Sequence, residues 1–207
     1  MPKQILKDEE IYIAPGIIGK YEDGNPIAID EKSGKRLDPK NIDDKIFIYE
    51  REVTGWFLDP ASALLEGKHR FENSFIVLMI CMSYFEGVEQ YKTGEQSSNR
   101  SRVFFINSVK RMYPKEFQDE ELRKLYSKSR CGLFHNGMVK GGVIFSSNFE
   151  NAIEFQKNGE VIKVNPRLLL KDIKEDFENY IIELRRVGVA SCRIARENFD
   201  RMFTVLE

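Results

Sequence analysis

The chain has 207 residues, 42% of them hydrophobic, which is enough material for one real core. Charged residues make up 31% yet nearly cancel, to a formal net charge of -1. That balance excludes the broad basic footprint of a general nucleic-acid binder, but not a compact site built from a few Lys and Arg. Three scattered cysteines, Cys81, Cys131 and Cys192, do not form a disulfide framework and suit a reducing compartment. With His69 and His135 as the two histidines, a metal site is not expected, and no cofactor is implied. The start, Met1-Pro2-Lys3-Gln4, is polar and lacks an apolar signal core. The longest apolar run, residues 75–85, is far short of the ~20 residues that span a bilayer. The expected location is therefore the cytoplasm, with no membrane association.

In chain order, residues 1–59 read as an arm. Turn signals stand at Asp23-Gly24, Asn25-Pro26 and Ser33-Gly34, with short β-favouring pieces between them. Examples are Ile11-Tyr12-Ile13, Ile27-Ala28-Ile29 and Lys45-Ile46-Phe47-Ile48-Tyr49, the last with residues 53–57 as a partner. Strands and an extended wrapping arm both fit. Trp56, Phe57 and Leu58 form an apolar knot expected to pack this arm onto the body.

From Pro60 the pattern turns helical. A short helix is expected over 61–65 and a long one over 71–91, ending near Gly94. A third follows a Ser98 or Asn99 cap, carries Phe105, Val109 and Met112 on one face, and stops before Pro114. Asp119-Glu120-Glu121 opens the next, where acids suit the helix dipole. Leu122, Leu125, Tyr126, Ser129 and Leu133 then recur at helical spacing up to an Asn136-Gly137 stop. Residues 152–156 and 161–164 flank Lys157-Asn158-Gly159-Glu160 and read as a hairpin. Asn165-Pro166 starts a long amphipathic helix through Leu169, Ile173, Phe177, Tyr180, Leu184 and Val187. A last helical stretch carries Ile194, Phe199, Met202, Phe203 and Leu206. The expected fold is mainly α: a helical bundle over 60–207 with a small β-hairpin insertion, packed as one unit with the irregular or β-containing arm.

No Gly-rich phosphate loop, Gly-x-Ser-x-Gly or His-Glu-x-x-His is present. The chemistry concentrates instead in Arg130 and His135, next to a helix end. Histidine exchanges a proton near neutral pH, and arginine offers a fork of donors that suits a phosphate. Lys128 and Lys140 add positive charge nearby, and Asn136 follows the histidine. On an ideal helix, residues five apart splay by about 140°, so a two-fold dimer would help to gather the pair. Gly132 inside the helix fits a close backbone approach. The plainer reading makes His135 a helix-terminal histidine and Arg130 one half of a surface ion pair. Cys131 and His135, four apart, lack a third partner for thiol chemistry. Cys81 and Cys192 read as packing residues, and His69 as a surface residue.

Leu125-Tyr126 followed by Arg130-Cys131-Gly132-Leu133-Phe134-His135-Asn136-Gly137 resembles the HEPN superfamily (higher eukaryotes and prokaryotes nucleotide-binding domains), marked by Arg, four to six residues, then His near a helix end. The resemblance implies a HEPN-like helical bundle that dimerises through the motif helix. It also implies a metal-independent endoribonuclease of toxin or antiphage type acting on single-stranded RNA, with an antitoxin as a partner. Arg130 and His135 would be catalytic, and Lys128, Asn136 and Lys140 would bind RNA. Active members commonly carry a polar residue where this chain has Cys131. The alternative is a catalytically silent dimeric module that binds RNA, a nucleotide or a protein.

Overall fold

The computed structural model describes residues 9–68, 70–132 and 141–206, with the backbone alone at 70 and 71. Asp23 and Gly24 both take positive φ, 50° and 77°, which makes the tight two-residue turn that right-twisted strands prefer. Around it, β1 (Ile11–Ala14), β2 (Ile17–Glu22), β3 (Asn25–Asp30) and β4 (Arg36–Leu37) pair in sequence order as an antiparallel sheet. Ile17, Ala28 and Leu37 are buried, so one face of this sheet belongs to the core.

The segment Lys45-Ile46-Phe47-Ile48-Tyr49 is not the expected strand. It lies within α1 (Ile42–Val53). Asn41 caps this helix, accepting hydrogen bonds from the backbone N–H of Asp43 at 2.9 Å and Asp44 at 3.2 Å. Ile42, Ile46, Tyr49 and Val53 repeat at helical spacing and pack into or against the core. The helical path continues through a wide π-helical turn (Thr54–Leu58) into α2 (Asp59–Glu66), with Pro60 in the first turn, where its missing N–H costs little. The helical run thus crosses positions 59 and 60, where the sequence reading ended the arm. Of the apolar knot, Leu58 is buried, while Trp56 and Phe57 remain nearly half exposed.

Helix α3 (Arg70–Thr93) is the central element. Val77, Leu78, Cys81, Met82, Phe85 and Val88 are buried along it. It packs against α2, α4 (Ser101–Met112), α6 (Pro166–Arg185) and α7 (Ala190–Met202). Helix α5 (Asp119–Leu125) leads through a second π-helical turn (Tyr126–Arg130) to helical residues 131–132.

The hairpin over 153–164 forms as expected, as β6 (Ile153–Gln156) and β7 (Val161–Val164). It is not isolated: β5 (Val143–Phe145) pairs with β7 in parallel, giving a sheet of order β5-β7-β6. Asn165 caps α6 as expected, accepting from Arg167 N–H at 3.1 Å and Leu168 N–H at 3.2 Å. Leu169, Ile173, Phe177, Tyr180 and Leu184 are buried, whereas Val187 lies beyond the helix and is exposed. Tyr49, Tyr91, Phe199 and Phe203 form one aromatic cluster joining α1, α3 and the end of α7.

The fold is therefore mixed α/β, with a four-stranded and a three-stranded sheet, and not a mainly α helical bundle with a small hairpin. The expectation failed because two-residue β4 and three-residue β5 are too short to show a period, yet each completes a sheet. Among the described residues, no helix is long and apolar enough to cross a membrane.

Candidate functional site

The Arg130 helix begins with a local clasp. The Gln118 N–H donates to Glu121 Oε2 at 2.8 Å, so the first turn is held from both ends. Leu122, Leu125 and Ser129 are fully buried and seat this element on the body. The π-helical turn then widens the helix, and wide turns of this kind occur frequently at functional sites.

At its end, the Arg130 guanidinium donates to Glu86 Oε2 of α3 at 2.7 Å. Its side chain is 21% exposed and that of Glu86 13% exposed, so the pair is largely shielded from water. The guanidinium carbon also lies 5.8 Å from the centroid of the Tyr126 ring. The second Glu86 oxygen accepts from Ser97 Oγ at 2.8 Å. Glu86 thus ties the loop after α3 to the Arg130 helix. Burial pushes the Tyr126 phenol up, with the neighbouring Cys131 as the next cause. Cys131 is half-buried and Gly132 is buried.

Lys128 points to the other sheet. Its ammonium donates to Glu160 O at 2.7 Å and lies 3.8 Å from the Glu160 carboxylate. Lys124 donates to Asn158 O at 2.8 Å and to Glu160 Oε1 at 3.1 Å. The two lysines therefore fasten the β6–β7 turn to the motif helix. Gly142 completes this junction. Its φ is +92°, and a Cβ there would collide with the Glu160 carbonyl oxygen and lie 3.0 Å from Lys128 Nζ. The Gly142 carbonyl accepts from Ile162 N–H at 2.7 Å. His135, Asn136 and Lys140 lie outside the described residues, as do Leu133 and His69. The chain on either side of the motif is anchored, by Arg130 to α3 and by Gly142 to β7.

A second polar cluster, which sequence reasoning did not single out, joins α3, α4 and α6. Arg111 pairs with Asp176 and donates to Glu89 Oε2 at 3.4 Å and to Ser108 Oγ at 3.2 Å. Tyr84 donates to Asp176 Oδ2 at 2.7 Å, and Tyr113 donates to Asp172 Oδ2 at 2.6 Å. Desolvation holds the Glu89 carboxyl above its ordinary range, against the opposing effect of Arg111. Desolvation likewise lowers Lys92, whose ammonium lies 4.1 Å from the Tyr180 ring centroid. These groups satisfy one another, so they brace three helices. The hidden signal was helical phase: Arg111 sits three residues after buried Ser108, on the inner side of α4.

Among the described residues, no group of three or more His, Cys, Asp or Glu side chains is placed to hold a metal ion. Cys81 and Cys192 are buried packing residues, as expected, and burial pushes the Cys81 thiol up. The chain matches no known family model, no curated protein and no solved structure.

Proposed function

We propose that the chain is a metal-independent endoribonuclease of HEPN type that cleaves single-stranded RNA, with Arg130 and His135 as the reacting pair. The observation that carries this reading is the placement of Arg130. It closes the π-helical turn, oriented by Glu86 and Tyr126, five residues before the histidine. In the reaction, His135 takes the 2′-hydroxyl proton as O2′ attacks phosphorus. The bond from phosphorus to O5′ breaks, O5′ takes its proton from solvent water, and the protonated His135 gives its proton back to solvent to close the cycle. The products are a 2′,3′-cyclic phosphate and a 5′-hydroxyl. Arg130 stabilises the added negative charge on the phosphoryl oxygens during attack. DNA, lacking the 2′-hydroxyl, is not cut. Asn136 and Lys140 bind the RNA strand. Lys128 serves RNA only by giving up its contact with the β6–β7 turn. The working form is a cytoplasmic homodimer joined through the motif helix, in a toxin or antiphage role restrained by an antitoxin.

One observation favours a second reading. The Glu86 carboxylate already neutralises Arg130 in a shielded pair, and breaking such a pair to admit a phosphate is costly. Together with Cys131, this supports a catalytically silent module that binds RNA, a nucleotide or a protein.

The test is incubation of labelled single-stranded RNA with the protein in EDTA, beside His135→Ala and Arg130→Ala. Cyclic-phosphate products from the wild type, reduced at least about 100-fold in both variants, are expected. Cleavage that survives His135→Ala would refute the assignment. No cleavage by any of the three folded proteins would select the silent module.

A further inference from the structure

Helices α1 and α3 do not close completely on each other. Between them lies a groove of about 180 Å³, whose lining includes Tyr49, Phe57, Ile80, Tyr84 and Tyr91. Gly87 forms part of its lining, and a Cβ on it would meet nothing within 4 Å, so the groove stays open there. A second, wider depression of about 410 Å³ adjoins it, lined by Trp56, Tyr12 and the chain after α7. Glu52 and Tyr91 line both and stand where the two meet.

Glu52 is the charged group at this junction. It is half-buried and makes no hydrogen bond or ion pair among the described residues. Every other titratable side chain lining either depression is a tyrosine: Tyr49 on its own helix, Tyr84 and Tyr91 on α3, and Tyr12 on β1. No Lys, Arg or His of the described residues lines either one. A carboxylate that has lost part of its water is drawn to a cation set against it, more strongly than one on the open surface. Tyr49, Phe57, Tyr84 and Tyr91 line the same groove, and aromatic rings attract cations at their faces. A hard metal ion would need several oxygen ligands. An organic cation needs one counter-ion and an apolar wall. The volume lies below the roughly 300–1,000 Å³ of drug-sized sites, so the ligand is small.

We infer that the groove between α1 and α3 binds a small apolar ammonium compound, with Glu52 as its counter-ion and the surrounding rings against its hydrocarbon. This site is separate from Arg130 and does not depend on the ribonuclease reading.

The experiment is an NMR titration of the full chain at about pH 8 with benzylamine and with its neutral analogue benzyl alcohol, repeated on Glu52→Gln and Gly87→Leu. Leucine at 87 has the higher helix propensity and a Cβ there meets nothing within 4 Å, so this variant is expected to fold with its side chain filling the groove, as circular dichroism would check. Benzylamine should bind at least about tenfold more tightly than benzyl alcohol, and both variants should lose that binding. Equal binding of the two probes, benzylamine binding that survives Glu52→Gln, or no shift at about 10 mM benzylamine would each overturn the inference.

Discussion

Burial raises the Glu52 carboxyl from its ordinary 4.5 to about 6, with no opposing charge to offset the loss of water. The folded chain therefore holds this proton more tightly than the unfolded chain does. The stability contributed by the protonated group is full below about pH 4.5 and is lost as pH rises through about 6. Because the side chain keeps some solvent contact, the change is about 1 kcal/mol rather than the full linkage value. Urea denaturation of Glu52→Gln beside the wild type should show equal stability near about pH 4 and a gain of about 1 kcal/mol near about pH 7.5. A pH-independent difference would mean that the carboxyl is not desolvated as described. Gly142 shows residue-scale constraint of another kind. Its left-handed backbone and the adjacent Glu160 carbonyl leave no room for a side chain.

At the scale of elements, α3, α4 and α6 are joined by a polar brace as well as by apolar contact. Arg111→Met would keep most of the packing volume while leaving Asp176 and Glu89 desolvated without their cation. A loss of about 2–3 kcal/mol is expected, measured by chemical denaturation. The double variant with Asp176→Asn should lose less than the sum of the two singles, because the two residues share one interaction. Helix α1 shows how far elements were legible. The Asn41 cap, the acids Asp43 and Asp44, and the spacing of Ile42, Ile46, Tyr49 and Val53 all spelled a helix. The run Ile46-Phe47-Ile48-Tyr49 also has strong β character, and that local preference misled the sequence reading. Packing of Ile46, Ile48 and Tyr49 into the common core resolved it in favour of helix. For α3 and α6 no such conflict existed, because length, periodicity and termini agreed.

At the scale of the molecule, both sheets and the helices contribute to one hydrophobic core, so they are expected to unfold together. Phe199 is fully buried in the aromatic cluster that joins α1, α3 and α7. Phe199→Ala should cost about 3–5 kcal/mol. Trp56, the single tryptophan, reports the α1–α2 region, while far-ultraviolet circular dichroism reports the helices throughout. The two guanidinium transitions should coincide in the wild type and shift together in the variant. Separate midpoints would show that the N-terminal part unfolds as its own unit.

By itself the sequence determined the long central helix, the capped amphipathic helix after Asn165, the Asn-Gly hairpin and the placement of Arg130 on a helix. Each of these rests on interactions between residues close in the chain, where period, cap and turn chemistry speak directly. Only the tertiary structure decided that β4 and β5 complete two sheets, that Glu86 meets Arg130 across 44 positions, and that Lys128 is spent on the β6–β7 turn. It alone decided, too, that Glu52 lies between two depressions. Short strands carry no period, and ion pairs or grooves between distant elements depend on how helices cross. That information exists only once the common core has formed.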